Sequence, residues 1–272
     1  MKLKEIIEQI RTGRGAMEFI PTGFPRLDRV LFGGFLRQEL VVVGGFTGIG
    51  KSSLAAQVFF NVAKGGFKSA YFSLEISNKL IVSRLIGMIA DMHPIKVMSG
   101  GFNEQEQVKW SDAVAELSAS EGFMDFSDDQ YRLEDLKKQI TAGGYEFVVI
   151  DFIQNIFSSG DKEYERLSRV ALELQKLAKE ANCCILVLSQ LSNQMAKDGT
   201  RAIVFEYKGS GAIATVCDLG FFIEKIKGEN GVEVPNKILL TLKKNRRGIS
   251  GQSLYLKYKY PSGELTEDDK QE

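Results

Sequence analysis

Four short apolar runs punctuate the chain, at residues 39–44, 69–74, 146–151 and 184–189. Each is brief and apolar through its middle, which predicts a strand buried on both faces of a parallel sheet. Between the runs the period changes. Over residues 163–182, Leu167, Val170, Ala171, Leu174, Leu177 and Ala178 fall on one stripe of a helix. Residues 104–119 and 133–142 predict two more helices, the second closed by Gly143-Gly144. Alternating strands and helices predict an α/β fold with a mostly parallel central sheet and helices on both faces. After residue 219 the pattern shifts to strands at 219–225, 237–244 and 252–259, separated by Gly-rich turns. These predict an antiparallel C-terminal extension of the sheet.

This pattern divides the chain into three pieces. Residues 1–17 carry Leu3, Ile6, Ile7 and Ile10 at helical spacing, followed by Thr12-Gly13-Arg14-Gly15. That helix has two destinations open to it, its own domain or a groove on a neighbouring subunit. Residues 18–260 form the main domain. Residues 261–272 form a short, acidic, polar tail that is expected to be mobile.

Composition removes several function classes. Lys and Arg total 35 and Asp and Glu total 35, so nucleic-acid binding would have to rest on local patches. No apolar run approaches membrane-spanning length and no secretory leader is recognisable, so a cytoplasmic protein without membrane contacts is expected. Three cysteines, two of them adjacent at Cys183-Cys184 within an apolar run, fit core residues in a reducing compartment. The single histidine, His93, precedes Pro94 and reads as a turn residue, so a histidine metal centre is excluded.

The chemistry begins at Gly45-Phe46-Thr47-Gly48-Ile49-Gly50-Lys51-Ser52, with Ser53 continuing into a helical pattern. An apolar strand precedes this segment, and strand, glycine-rich turn and helix are the setting of a phosphate-binding loop. Backbone N–H groups and the helix N-terminus would cradle phosphates. Lys51 would reach the β- and γ-phosphates, and the Ser52 hydroxyl would bind Mg²⁺. Phe147-Val148-Val149-Ile150-Asp151 places an acid at a strand's C-terminal end, where Asp151 would support the metal. Phe72-Ser73-Leu74-Glu75 supplies a second acid, and Glu75 is the candidate base that activates water. Leu188-Ser189-Gln190 ends another strand with an amide suited to sensing the γ-phosphate. The basic run Lys243-Lys244-Asn245-Arg246-Arg247-Gly248 reads either as a solvated hairpin tip or as cations reaching a neighbour's nucleotide.

Together these segments resemble the C-terminal ATPase domain of DnaB-type replicative DNA helicases, within the RecA-like motor class. The resemblance spans roughly residues 20–260. It rests on Ile20-Pro21-Thr22-Gly23-Phe24-Pro25-Arg26-Leu27-Asp28 and Gly33-Gly34, then the phosphate loop, Phe72–Ser77, Ile150–Gln154, Leu188–Leu191, Gly209–Ile213 and Lys243–Gly251, all in the family's order. The resemblance implies ATP and Mg²⁺ as cofactors and a hexameric homo-oligomer with active sites at subunit interfaces. It also implies 5′-to-3′ movement on single-stranded DNA and contact with replication proteins such as primase or a loader. By position, Lys244 and Arg246 would act on the neighbour's γ-phosphate, Lys208, Gly209 and Ser210 would contact DNA, and the N-terminal helix would dock on the adjacent subunit. Residues 192–207 depart from the family's Arg-rich pattern. A RecA-like DNA-associated ATPase of remodelling, recombination or loader type, without unwinding activity, is therefore the alternative. A ring that binds nucleotide without hydrolysis is a third reading, opposed by the presence of Lys51, Glu75, Asp151 and Arg246.

Overall fold

The computed structural model of the protein describes residues 3–12, 18–129, 131–158, 163–191, 211–228 and 230–268. The helices are α1 (Leu3–Thr12), α2 (Pro25–Val30), α3 (Lys51–Lys64), α4 (Asn78–Ala90), α5 (Pro94–Ser99), α6 (Glu104–Ser118), α7 (Leu133–Gly143), α8 (Glu163–Glu180) and α9 (Gly211–Val216). The strands are β1 (Phe19–Ile20), β2 (Phe35–Leu36), β3 (Leu40–Phe46), β4 (Ser69–Ser73), β5 (Met124–Ser127), β6 (Phe147–Asp151), β7 (Cys184–Leu191), β8 (Leu219–Lys227), β9 (Glu233–Asn245), β10 (Ser253–Lys259) and β11 (Glu264–Glu267). β1 and β2 form a small antiparallel ribbon. Among the described residues the others make a nine-stranded sheet in the order β11-β10-β9-β8-β3-β7-β6-β4-β5.

Side-chain alternation along the parallel strands builds two cores. Val41, Val43, Tyr71, Phe147, Val149, Leu186 and Leu188 face α3 and α4. Leu40, Val42, Ala70, Phe72, Val148, Ile150, Ile185 and Val187 face α7 and α8, where the predicted stripe from Leu167 to Ala178 is buried. Both faces are covered, which is why these strands read as continuous apolar runs. α6 opens with a capping box between Asn103 and Glu106 and packs with α4 and α5 in a satellite core.

The antiparallel C-terminal extension is present: β8 runs parallel beside β3, and from β8 outward β9, β10 and β11 pair antiparallel. One expectation is corrected: the segment from 261 is not a mobile tail over Glu264–Glu267, which is the edge strand β11 paired with β10. Leu265 is 1% exposed. Gln57 of α3 donates to its carbonyl at 2.7 Å and accepts from its N–H at 2.7 Å. One buried leucine among acidic neighbours is enough to seat an edge strand, because alternate residues face solvent. His93 caps α5 by accepting from the Ile95 N–H. All three cysteines are free and buried. Burial pushes the Cys183 thiol up to about 12 and the Cys217 thiol up to about 11. No helix among the described residues is long and apolar enough to cross a membrane.

Candidate nucleotide site

β3 lies inside the parallel sheet, between β7 and β8, and delivers the glycine-rich loop at its C-terminal end. Gly50 caps α3 at φ 99, a left-handed conformation that side chains avoid. A Cβ at Gly50 would lie 1.5 Å from Tyr258 Oη. That hydroxyl instead donates to the Ile49 carbonyl at 3.2 Å, so β10 supports the loop. The first backbone N–H groups of α3 have no partner within the helix and face the loop's concavity. Lys51 is 6% exposed and folded back on its own loop, with Nζ donating to the Gly45 carbonyl at 2.9 Å and the Phe46 carbonyl at 2.8 Å. Burial lowers its pKa, and the charges of Asp151 and Glu75 oppose that shift.

Asp151, at the end of β6, is 2% exposed and accepts from Tyr71 Oη at 2.9 Å. Burial pushes its carboxyl pKa up, while hydrogen bonds from Ser52 and Tyr71 and the charges of Arg84 and Lys51 pull it down. Ser52 and Asp151 thus lie beside each other. A hydroxyl and a carboxylate are hard oxygen donors, the set that Mg²⁺ uses when substrate phosphates and water complete its shell. Among the described residues no three His, Cys, Asp or Glu cluster as an all-protein metal cage.

Glu75 follows β4, whose last residue Ser73 is in register with Asp151. Gln190 on β7 is in register with Gly45 of the loop. Its Nε2 lies 3.5 Å from Glu75 Oε2, the outer limit of a hydrogen bond. The loop, Asp151, Glu75 and Gln190 therefore meet at the carboxyl ends of β3, β6, β4 and β7, the position of ligand crevices in open parallel sheets. Ser53, Gly48, Ile49 and Gly50 also line a cleft of about 520 Å³ whose other wall is Tyr258 and the β8–β9 hairpin. A larger cleft of about 840 Å³, lined by Arg132, Phe157, Arg169 and Glu173, contains none of the expected site residues.

Lys244 and Arg246 are elsewhere. Lys244 Nζ and Arg246 Nη2 both donate to the Thr215 carbonyl, at 2.8 and 2.9 Å. Arg246 Nη1 pairs with Asp218 Oδ1 at 2.9 Å, and Asp218 Oδ2 accepts from the Leu40 N–H at the start of β3. The cations thus sit at the opposite end of β3 from the loop. The six steps along the strand from Leu40 to Phe46, at about 3.3 Å each, separate the two by about 20 Å. Lys208, Gly209 and Ser210 lie outside the described residues.

The sequence assigns no role to several participants, although Gln154 lies within the Ile150–Gln154 segment. Gln154 ties the backbone of Gln190 in place, donating to its carbonyl at 3.0 Å and accepting from its N–H at 3.2 Å. Tyr71, on the neighbouring strand β4, braces Asp151, and Tyr258, on β10, braces the loop. Arg84 of α4 acts electrostatically on Asp151 and Tyr71. Its signal in the sequence is a lone cation inside the apolar stretch 80–90.

A glycine loop on β3, an acid two strands away on β6 and a second acid beyond β4 define a RecA-like phosphate-loop fold. A solved ATPase domain superposes with a TM-score of 0.85 over 97% of this chain and 96% of that one, at 22% identity. A solved DnaB-like replicative helicase, reported with its interactions with primase, gives 0.84 over 97% of this chain and 65% of that one, also at 22% identity. The chain belongs to the family described as the DnaB-like helicase C-terminal domain, whose model matches residues 19–262. The replicative DNA helicase DnaC of Bacillus subtilis (strain 168) is 28% identical over 257 residues, 90% of this chain and 56% of that protein. The replicative DNA helicase DnaB of Geobacillus stearothermophilus is likewise 28% identical, with the same coverage. The chain spans about half the length of these curated relatives.

Proposed function

We propose that the protein is the motor domain of an ATP-dependent replicative DNA helicase, which hydrolyses ATP between subunits of a ring, by resemblance hexameric, and moves on single-stranded DNA in the cytoplasm. The observation that carries the shared site is the distance of about 20 Å between Lys51's loop and the Lys244–Arg246 pair along β3. A cation pair that far from its own phosphate loop does not reach its own nucleotide, which supports a role on another chain's.

On this reading Lys51 leaves the Gly45 and Phe46 carbonyls for the β- and γ-phosphates of ATP. Ser52 and Asp151 would hold Mg²⁺, which when bound neutralises phosphate charge. Glu75 orients the attacking water for in-line displacement. Gln190, beside Glu75, registers the γ-phosphate and its loss. The nucleoside would occupy the cleft beside Ser53 and Tyr258. Lys244 and Arg246 rest on α9, which follows directly in sequence on Lys208–Ser210, the expected DNA contact. That arrangement supports coupling between hydrolysis and DNA. The N-terminal helix, with Leu3 and Ile7 exposed, is proposed to dock on the adjacent subunit, and primase or a loader are the expected partners.

The test is strand displacement by the full chain on a forked duplex with a 5′ tail, with Glu75→Gln as control. ATP-dependent displacement is expected from the native chain. The control should bind ATP while losing turnover by about 10²- to 10⁴-fold. DNA-stimulated hydrolysis without displacement would establish the non-unwinding alternative instead.

A further inference from the structure

Two cations held on one carbonyl repel each other, and their convergence on Thr215 needs an explanation. Thr215 is in the last turn of α9, where the carbonyl dipole favours positive charge. That alone does not orient a guanidinium. Asp218 does, and it grips Arg246 twice. Its Oδ1 accepts from Nη1 at 2.9 Å, and its backbone carbonyl accepts from the Arg246 N–H at 3.0 Å. Asp218 is itself anchored, since its Oδ2 accepts from the Leu40 N–H and its own N–H donates to the Leu40 carbonyl, each at 2.9 Å. The base of the arrangement is therefore the first residue of the phosphate-loop strand. The Asp218 side chain is 14% exposed and that of Arg246 46% exposed.

A guanidinium has five N–H donors in a rigid fork. Asp218 and Thr215 engage one on Nη1 and one on Nη2, which leaves the remaining donors for an incoming anion. Holding one edge fixes the direction of the other and lowers the ordering cost of a phosphate contact. We propose that Asp218 is a positioning residue: with the Thr215 carbonyl it fixes the Lys244–Arg246 pair in the orientation that meets a neighbouring chain's phosphates. Burial holds the Lys244 amine below its usual pKa; Cys217 and the Asp218 charge oppose that shift, and the adjacent Arg246 adds to it. The proposal rests on the reading that the pair acts across subunits.

Subunit mixing tests it. Asp218→Asn alone should lose about 10²-fold in kcat for ATP, as a displaced catalytic group does, with KM little changed. Asp218→Asn chains have intact phosphate loops and misplaced cations. They should regain turnover when mixed with Lys51→Ala chains, which supply good cations, and should not when mixed with Arg246→Ala chains. The opposite pattern, rescue by Arg246→Ala chains alone, would mean that Asp218 only braces β3 and its own loop, and would overturn the proposal. Unchanged turnover in Asp218→Asn would overturn it as well. A Lys51→Ala plus Arg246→Ala mixture separates the two levels, because its failure to regain turnover defeats the cross-subunit reading itself.

Discussion

Consider that last mixture in full. Lys51→Ala removes the phosphate-binding amine, and Arg246→Ala removes the cation about 20 Å away at the other end of β3. A cation acting across subunits contributes about 10³-fold or more to turnover, roughly 4 kcal/mol of the barrier, so each variant alone should be almost inactive. In an equimolar random assembly, half the phosphate loops are intact and half of those face an intact Arg246, so about a quarter of native turnover per chain returns. The assay is steady-state phosphate release across mixing ratios, with co-assembly verified by pull-down of differently tagged chains. The recovery should follow the product of the two fractions and peak at equal amounts. Flat, near-zero turnover in mixtures that do co-assemble would refute the argument, because groups confined to one chain cannot complement each other.

Two more outcomes follow from the fold and the metal-site acid. Leu265→Ala should cost about 2–5 kcal/mol in denaturant unfolding, the price of a core leucine, whereas a mobile tail would leave stability unchanged. Asp151 has its folded-state pKa raised by burial. Its contribution to stability is therefore present below the ordinary aspartate range and is lost as pH rises through the raised value. Asp151→Asn should melt higher than the native chain above that window, when both are free of nucleotide and metal, and should lose turnover. A lower melting temperature there would mean that the bonds from Ser52 and Tyr71 outweigh the burial cost.

The parallel strands are legible in the sequence because burial on both faces forbids polar interruptions. β5 escapes because it is a half-exposed edge strand, with Asp125 and Ser127 among its four residues. α4 escapes for the opposite reason: it packs against α3 on one side and α5 and α6 on another, so its apolar residues make no single stripe. The convergence of Lys51, Ser52, Glu75, Asp151 and Gln190 is legible because strand ends in such sheets point to one crevice. Tyr71, Gln154, Tyr258 and Asp218 are not, since each acts through a partner far away in the chain: Leu40 for Asp218, Ile49 for Tyr258. Only folding makes those distances short.

The two ends of β3 also bear on how many chains must associate. If the loop at one end meets the cation pair at the other end of the next chain, every contact joins unlike patches, head to tail. Such a contact repeats without limit unless the rotation between chains brings the last to the first; otherwise it grows as a filament. In an open series of n chains only n − 1 sites are complete, with an unused loop at one end and unused cations at the other. Closure supplies the missing site. Turnover per chain would then rise with assembly size and step up when the ring shuts, so ring opening and silencing of one site would be the same event.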